Sequence, residues 1–278
     1  MKTLKQELFE RKIVLKKKFG QNFLTDETLL LKIVSESGVN DSLSVLEIGC
    51  GAGALTKVLC ENAKSVLGYE IDETLKPLLS DKLSDFDNVE IVYKDVLKDG
   101  VKAVEKKIGG KYALIANLPY YITTPIVMEF LENAENLEFM TVMVQEEVAD
   151  RFCATEKNSD YGAITVGINL RGKAEKLFKV GREKFTPAPN VDSAVVKITL
   201  DNGKFKNADL KEVRKVVRGA FSSRRKTLVN NLMLSFKLPR AVAESVVLTS
   251  GFPLTVRGEE LSAEDFVRLT DVLGKING

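Results

Sequence analysis

Residues 45–53 of the chain read VLEIGCGAG, and this stretch decides the fold. An apolar run that leads directly into three glycines predicts a buried strand, a tight turn and the start of a helix. Glycine in such a turn lets the backbone approach a ligand closely. The spacing fits the G-x-G-x-x-A pattern of dinucleotide-binding loops as well as that of methyl-donor loops, so by itself it names no ligand.

The strand and helix pattern repeats along the residues that follow. Strands that alternate with helices in this way pack as a parallel sheet with helices on both faces. Phe178 and residues 191–200 predict an antiparallel pair at one sheet edge. The fold class is therefore α/β, with a doubly wound Rossmann-like sheet. Strands are predicted at 43–48, 65–70, 89–92, 111–116 and 138–144, and helices at 27–37, 53–63, 72–83, 100–108 and 124–133.

A turn sequence, Asp201-Asn202-Gly203, separates this region from a tail with helical patterns. We place the domain boundary there, which gives a large domain at 1–200 and a small helical domain at 204–278. A chain of 278 residues is long enough to bury two cores. Helices of the tail are predicted at 208–220, 224–235, 240–248 and 263–273.

Carboxylates follow the second and third predicted strands. Glu70 stands about twenty residues past the first glycine, where a carboxylate can accept hydrogen bonds from both hydroxyls of a ribose, and Asp95 follows the next strand. Two negative charges suit a nucleoside with an adenine amine, and they would repel a pyrophosphate. S-adenosylmethionine carries no phosphate, so the pattern favours it over a dinucleotide. Each acid could equally be a solvated loop residue.

Residues 112–116 read YALIA, a buried strand, and Asn117-Leu118-Pro119-Tyr120 follow it directly. An amide oxygen, main-chain carbonyls that proline leaves pointing outward and an aromatic ring can hold a flat heterocycle by its exocyclic amine. We interpret the segment as a pocket for a nucleobase amine, in which Tyr120 stacks on the base and Tyr121 packs into the fold. The alternative is an ordinary turn.

Composition excludes several classes of protein. The chain has no histidine, which excludes hydrolases that depend on a histidine base. Its 3 cysteines have no paired spacing, so neither a disulfide framework nor a zinc site is indicated, and we expect no metal. No apolar run reaches the roughly 18 residues that span a bilayer, and the acids within residues 1–20 argue against a signal peptide or presequence. We expect a cytoplasmic protein without a membrane partner.

The net charge of +2 hides an uneven distribution of basic residues. Residues 204–240 hold eleven lysines or arginines against two acids, and residues 11–18 hold five and no acid. A charge run is most often a solvated helix face, but separate clusters are also typical of a track for RNA phosphates. The candidate RNA-binding residues are Lys16, Lys17, Lys18, Arg224, Arg225 and Lys226, with the last three expected at a helix start.

Six blocks of sequence, in this order, resemble the small-subunit ribosomal RNA adenine-N6,N6-dimethyltransferases, the KsgA family. The resemblance covers nearly the whole chain. Two positions depart from the family pattern: Cys50 stands where proline is common, and Val229 where arginine is frequent. The blocks are FGQNFL at 19–24, the glycine loop, YEID at 69–72, NLPY at 117–120, FTPAPNVDS at 185–193 and FSSRRKTL at 221–228.

The resemblance implies the fold of a class I methyltransferase, with S-adenosylmethionine as cofactor and S-adenosyl-L-homocysteine as product. It assigns Asn22 and Leu24 to closure over the cofactor and Gly49 to its methionine moiety. The implied cofactor residues are Asn22, Leu24, Gly49, Gly51, Glu70, Ile71, Asp95, Val96 and Asn117. The residues implied at the target base are Asn117, Leu118, Pro119, Tyr120 and Phe185. Phe185 enters a proline-rich loop and is expected to cover the other face of the base, and the alternative is an ordinary core aromatic.

The implied function is dimethylation of two adjacent adenosines in a hairpin loop near the 3′ end of small-subunit ribosomal RNA. We expect a monomer that acts within an immature small ribosomal subunit and contributes to ribosome biogenesis. One alternative is the large-subunit methyltransferase group of macrolide resistance, which residues 221–228 and 257–261 disfavour. The other is a non-catalytic assembly factor, which is disfavoured by the intact residues Asn117, Pro119, Tyr120 and Glu70.

Overall fold

A computed structural model of the chain describes residues 4–11, 13, 16, 20 and 22–277. The chain divides into two compact units, unit 1 (Met1–Ala149 and Glu175–Leu200) and unit 2 (Asp150–Ala174 and Asp201–Gly278). The expected boundary at 201–203 is where the chain enters unit 2 for the second time. Asp150–Ala174 differ from the prediction, which placed them in the first domain, because Tyr161 and its neighbours pack in the core of unit 2.

The described part of the chain forms two sheets. Seven strands lie in the order β4-β3-β2-β5-β6-β9-β7, and β1 pairs with β8 in a small second sheet. The prediction did not include β1 and β8, which are too short to show a period. The strands are β1 (Phe23–Leu24), β2 (Ser44–Ile48), β3 (Ser65–Glu70), β4 (Val89–Tyr93), β5 (Tyr112–Asn117), β6 (Leu137–Gln145), β7 (Gly172–Val180), β8 (Phe185–Thr186) and β9 (Ser193–Leu200).

Helices connect most of the strands and form the bulk of unit 2. Those of unit 1 are α1 (Leu4–Glu10), α2 (Glu27–Ser37), α3 (Ala54–Asn62), α4 (Lys76–Lys82), α5 (Val96–Asp99), α6 (Val101–Ile108), α7 (Thr123–Asn133) and the start of α8 (Glu146–Phe152). Those of unit 2 are α9 (Ala163–Asn169), α10 (Leu210–Ala220), α11 (Leu228–Phe236), α12 (Arg240–Thr249) and α13 (Ala263–Asn277). Within the described residues, no helix is long and apolar enough to cross a membrane.

The central strands of the large sheet are buried on both faces. β2 and β5 are buried at every position but one each, which explains why their sequences are apolar runs rather than alternating patterns. β2 pairs in parallel with β3 and β5, and β9 runs antiparallel to β6 near the sheet edge. The predicted fold class, a doubly wound Rossmann-like sheet, is therefore confirmed.

The glycine turn joins β2 to α3 through backbone conformations that residues other than glycine rarely adopt. Gly49, Gly51 and Gly53 have φ angles of +80°, +56° and +76°. A Cβ on Gly51 would also lie 2.8 Å from the ring of Phe23. These glycines are thus required by the turn itself, and they carry the chain from the end of β2 to the first turn of α3.

Unit 2 corrects one local prediction. The helix expected at 224–235 begins at Leu228, because the hydroxyl of Thr227 accepts a hydrogen bond from Asn230 N at 3.4 Å and caps it. Arg224, Arg225 and Lys226 therefore lie in the turn before α11 rather than at a helix start. The side chain of Asn231 stabilises this turn by donating to the carbonyls of Ala220 and Ser223, at 2.6 and 3.0 Å.

Candidate active site

A cavity opens in unit 1 at the carboxyl ends of β2, β3, β4 and β5. β2 has β3 on one side and β5 on the other, so the strand order reverses here, and this is the edge at which open α/β sheets bind ligands. The structure brings most of the predicted site residues to the wall of this cavity. They are Asn22, Leu24, Gly49, Gly51, Glu70, Ile71, Asp95, Val96, Asn117, Leu118, Pro119 and Tyr120.

Asn117 is the last residue of β5, and its side-chain amide has a defined orientation. Its Nδ2 donates to the main-chain carbonyl of Asn22 at 3.1 Å. Because the amide NH₂ is held by that carbonyl, the Oδ1 oxygen is the atom that remains to accept a hydrogen bond from a ligand. An acceptor at this place suits an exocyclic amine.

Two main-chain carbonyls follow Asn117, those of Leu118 and Pro119, and only one of them is available to accept a hydrogen bond from a ligand. The carbonyl of Pro119 accepts from Ile122 N and from Thr123 Oγ1, both at 3.1 Å, and so stabilises the start of α7. Leu118 has a buried side chain, and no described residue donates to its carbonyl oxygen. Of the carbonyls of Leu118 and Pro119, the geometry therefore favours that of Leu118 as the second acceptor beside Asn117.

The two tyrosines that follow differ in how they are held. Tyr120 is half-buried, and its hydroxyl forms a 2.8 Å hydrogen bond with Ser193 Oγ in β9. Burial raises the pKa of this tyrosine. The expectation that Tyr121 packs into the fold is wrong, because its side chain is 58% exposed and lies at the cavity wall beside Gly20. Tyr120 presents an anchored ring, whereas Tyr121 presents an exposed one.

Glu70 ends β3 and is buried, and both of its carboxylate oxygens accept main-chain hydrogen bonds. Oε2 accepts from Gly51 N and Oε1 from Asp72 N, each at 2.8 Å. Burial raises the pKa of Glu70, and these N–H groups oppose the shift by favouring the charged form. Since each carboxylate oxygen has more than one lone pair, the group can hold the glycine turn and still accept from a pair of hydroxyls.

Asp95 follows β4 and caps α5. Its Oδ1 accepts from Leu97 N at 3.1 Å, which leaves Oδ2 as a candidate acceptor at the cavity. At the other end of α5, Asp99 accepts hydrogen bonds from Tyr69 Oη at 2.7 Å and from Lys94 Nζ at 3.1 Å. The hydrogen bond from Tyr69 is the main cause that lowers the pKa of Asp99, and the hydrogen bond from Lys94 is the next largest.

These residues fit S-adenosylmethionine. Glu70 and Asp95 provide carboxylate oxygens at the ends of neighbouring strands, and the glycine turn leaves space where side chains would intrude. Lys94 is the only basic residue of the described cavity wall, and its ammonium pairs with Asp99, so the wall offers no cluster for a pyrophosphate. No metal-binding group of three or more acids or cysteines occurs in the described chain, and the expected absence of metal stays a prediction. The fold and site define a class I methyltransferase, the class that takes its methyl group from S-adenosylmethionine.

Comparisons with known proteins assign the family. The family model for ribosomal RNA adenine dimethylase matches residues 13–275, and the chain belongs to this family, as the sequence blocks predicted. It is 42% identical over 267 residues to ribosomal RNA small subunit methyltransferase A of Bacillus pumilus, covering 94% of this chain and 91% of that protein. The predicted enzyme class, a methyltransferase, is confirmed.

Solved structures of related enzymes support the same conclusion. A dimethyladenosine transferase from Plasmodium falciparum has a TM-score of 0.78 and 26% identity, over 92% of this chain and 98% of that chain. The 23S rRNA methyltransferase ErmE has a TM-score of 0.68 and 29% identity, over 91% of this chain and 100% of that chain. The fold is thus shared with a dimethyladenosine transferase and with a methyltransferase whose name specifies 23S rRNA.

Phe185 is the one predicted base-contacting residue that does not lie on the cavity wall. Its side chain is 4% exposed and packs in the core of unit 1, and its backbone pairs with Leu24 where β1 meets β8. The described geometry therefore corrects the expectation that its ring covers the target base. The sequence left a core position for Phe185 open as the alternative and could not decide it, because the pairing of Phe185 with Leu24 joins residues far apart in the chain.

The predicted RNA-binding residues fall into three groups. Lys17 and Lys18 lie outside the described residues. Lys16 and Arg224 are engaged within the protein: Lys16 Nζ lies 2.6 Å from Asp72 Oδ1, and Arg224 pairs with Glu259 at 3.0 Å and donates to the carbonyl of Ser159. Arg225 and Lys226 are exposed, and no described residue forms an ion pair with either. Of the described candidates, Arg225 and Lys226 are the ones free to meet phosphates.

The structure shows where the two residues that depart from the family pattern, Cys50 and Val229, are packed. Cys50 is buried at the cavity wall, in the space that Gly68 leaves, since a Cβ on Gly68 would lie 2.5 Å from its Sγ. Val229 is 3% exposed and packs in the core of unit 2. The side chain of Val229 is therefore not available for a direct contact with RNA.

Sequence reasoning missed Glu47, a buried acid that also lies on the cavity wall. The available signal was a glutamate in the middle of the apolar run that forms β2. An ionisable side chain in a central strand is unusual and calls for a partner.

Proposed function

We propose that this enzyme transfers methyl groups from S-adenosylmethionine to N6 of adenosines in small-subunit ribosomal RNA, forming N6,N6-dimethyladenosine and S-adenosyl-L-homocysteine. The observation that carries the proposal is the pair of acceptors at the end of β5, Asn117 Oδ1 and the Leu118 carbonyl. The names of two relatives, a small subunit methyltransferase and a dimethyladenosine transferase, support the substrate and the product.

Bound S-adenosylmethionine supplies a methyl group that its sulfonium already activates. The task of the protein is to make a poor nucleophile attack, because the lone pair of an adenine amine is spread into the ring. Hydrogen bonds from both N–H groups to Asn117 Oδ1 and the Leu118 carbonyl favour a pyramidal nitrogen. Fixed acceptors of this kind act most strongly where positive charge develops. No protonatable base is required, which agrees with a chain that contains no histidine.

The donor side of the cavity is assigned to the carboxylates and the glycine turn. Glu70 accepts from the ribose hydroxyls and Asp95 from the adenine amine of the cofactor, while Gly49 and Gly51 allow close approach of the methionine moiety. Asn22 acts through its carbonyl, which holds Asn117, and Leu24, Ile71 and Val96 supply apolar wall. No metal takes part in this scheme.

The RNA side requires a base outside its stack. Tyr120 is placed to stack on the target adenine, with its ring held by the hydrogen bond to Ser193. Base stacking on an aromatic ring is worth roughly 1 to 3 kcal/mol, which offsets unstacking best when the base already lies in a loop. Single-stranded or hairpin-loop RNA is therefore the favoured substrate. Unit 2 contributes phosphate contacts through Arg225 and Lys226.

The finer features of the proposal follow from the family. The targets are two adjacent adenosines in a hairpin loop near the 3′ end of the RNA, the substrate is an immature small ribosomal subunit, and the enzyme acts in the cytoplasm as a monomer. The step would contribute to ribosome biogenesis.

The test uses purified protein, radiolabelled S-adenosylmethionine and small ribosomal subunits from cells that lack this activity, with large subunits in parallel. After digestion of the RNA, the labelled nucleoside is identified. Dimethyladenosine from small subunits alone supports the proposal. The fold shared with ErmE gives the second candidate, and label confined to large subunits would favour it. Tight subunit binding without label in either would favour a non-catalytic assembly factor.

A further inference from the structure

Tyr121 is an exposed aromatic residue on the wall of the cavity in unit 1. All six tyrosines of the chain lie within the described residues, and Tyr121, which is 58% exposed, is the only exposed one among them. Its hydroxyl forms no hydrogen bond with any described residue, whereas the hydroxyl of Tyr120 is bonded to Ser193. A large ring that lines a cavity and keeps much of its surface in water is available to cover a ligand.

Gly20 and Pro119 pack beside this ring. A Cβ on Gly20 would lie 3.4 Å from Cδ1 of Tyr121 and 3.6 Å from Cβ of Pro119. Gly20 also has a φ angle of +58°, in the region that favours glycine. The segment that carries Asn22 can therefore approach the ring of Tyr121 closely and support it.

The charges that act on Tyr121 belong to the donor side of the cavity. Partial burial is the main cause that raises the pKa of Tyr121, and the carboxylates of Asp95 and Glu70 raise it further. These are the two acids assigned above to the adenine amine and the ribose of the cofactor. The hydroxyl of Tyr120, by contrast, is held at β9 by Ser193. The two adjacent tyrosines therefore serve different sides of the cavity.

The same carboxylates make an RNA nucleotide the less suitable partner for Tyr121. A nucleotide that stacked on this ring would bring its phosphate towards two negative charges, which repel it. The adenosine moiety of S-adenosylmethionine has no phosphate, and its adenine presents a flat aromatic face. The electrostatics therefore favour the cofactor over a nucleotide that flanks the target base.

We propose that Tyr121 is a cofactor-binding residue whose ring covers the adenosine moiety of S-adenosylmethionine at the mouth of the cavity. This inference rests on the proposed function and deepens it, because it adds a residue to the adenosine part of the site. Glu70 and Asp95 bind the polar edges of the adenosine, and the ring of Tyr121 excludes water from it. The exposed side chain becomes buried when the ligand binds.

The first measurement compares cofactor affinity in variants of the two adjacent tyrosines. Dissociation constants of the full chain are measured by calorimetry for S-adenosyl-L-homocysteine and for methylthioadenosine, which keeps the adenosine and lacks the amino acid. Tyr121→Ala should weaken both ligands about tenfold, as expected when stacking on an aromatic ring is lost. Tyr121→Phe keeps the ring and should stay within about threefold of the wild type. The matched control Tyr120→Ala should also stay within about threefold, because that ring is assigned to the target base.

The second measurement follows the burial of the ring directly. Tetranitromethane nitrates exposed tyrosines, so mass spectrometry of peptides should find the modification at Tyr121, the exposed one of the six. Saturating S-adenosyl-L-homocysteine should slow this nitration about fivefold, because a pocket of this kind buries most of the surface of its ligand. Free methionine, which lacks the adenosine, should give no protection.

The contrary outcomes are distinct. Normal affinity of Tyr121→Ala for S-adenosyl-L-homocysteine would overturn the role of Tyr121, and weaker binding of small subunits by the same variant would then assign the ring to RNA. Equal nitration with and without the ligand would also overturn it. Equal losses of affinity in Tyr121→Phe and Tyr121→Ala would assign the effect to the hydroxyl and overturn the role of the ring. Failure of the wild type to bind S-adenosyl-L-homocysteine would instead overturn the cofactor assignment itself.

Discussion

The side-chain amide of Asn117 donates to the main-chain carbonyl of Asn22 at 3.1 Å, across a separation of 95 residues. This bond decides which atom of the amide faces the ligand. The segment before β1, which the family resemblance assigns to the cofactor, thereby orients the residue proposed to hold the target base. In this geometry the position of Asn22 and the orientation of the Asn117 amide are coupled.

Removal of the Asn117 amide should lower turnover more than cofactor affinity. We expect Asn117→Ala to reduce kcat on small subunits about 100-fold or more, as for other preorganised polar contacts. Asn117→Asp should be as poor, because a carboxylate oxygen facing the Asn22 carbonyl repels it. The measurement is kcat with saturating cofactor, and folding is checked by thermal unfolding. Turnover within tenfold of the wild type would contradict the mechanism.

Asp95 should matter for cofactor affinity and leave RNA binding nearly intact. Asp95→Ala is expected to raise the Kd for S-adenosyl-L-homocysteine about tenfold or more, since a hydrogen bond to a charged acceptor is lost. Asp95→Asn keeps a good cap for α5 but replaces the second acceptor oxygen by a donor. Weak binding in both variants supports the adenine contact, and normal binding in Asp95→Asn would assign the effect to the cap.

The Tyr120–Ser193 hydrogen bond should contribute by holding the ring. Tyr120→Phe keeps the ring and loses the bond, so we expect a loss in kcat/KM of less than about tenfold. Tyr120→Ala also loses the stacking surface and should lose considerably more. Ser193→Ala serves as the matched control. The double variant Tyr120→Phe, Ser193→Ala should equal Tyr120→Phe alone, and an additive loss would argue against a shared role of the pair.

Arg225 and Lys226 should contribute to the affinity for RNA, whereas Arg224 should contribute to the stability of the folded protein. Replacement of both Arg225 and Lys226 by alanine should weaken binding of small-subunit RNA and reduce the slope of log K against log salt by about 0.7 per lost phosphate contact. Arg224→Ala removes the bonds to Glu259 and to Ser159 and should lower Tm with a smaller change in the salt slope. Equal slopes for both variants and the wild type would refute the phosphate track.

Glu47 should make stability depend on pH in a defined direction. Its pKa is raised from 4.5 to about 7 in the folded protein, so between these values the folded state holds a proton that the unfolded state has released. Stability therefore falls as pH rises through this window, and Glu47→Gln removes that loss. Relative to the wild type, the variant should gain about 2 to 3 kcal/mol on going from pH 5 to pH 8. Chemical unfolding at both pH values is the measurement, and a constant difference would contradict the assignment.

The fold was largely predictable because its signals are local. The apolar runs that became β2 and β5, the glycines between β2 and α3 and the acids after β3 and β4 each show their role within a few residues. Strand direction in a parallel sheet then places the ends of these strands at one edge. The short β1 and β8, and the membership of Asp150–Ala174 in unit 2, were not predictable, because they depend on pairing and packing with distant segments.

By itself, the sequence determined the large sheet, the glycine turn and most of the residues that meet at the cavity, since periodicity and chain direction are properties of neighbouring residues. Only the tertiary structure decided the orientation of Asn117, the anchoring of Tyr120 rather than Tyr121, the burial of Phe185 and the position of Glu47 on the cavity wall. Each of these depends on whether an atom from a distant part of the chain supplies a hydrogen bond or fills a space, which no local pattern encodes.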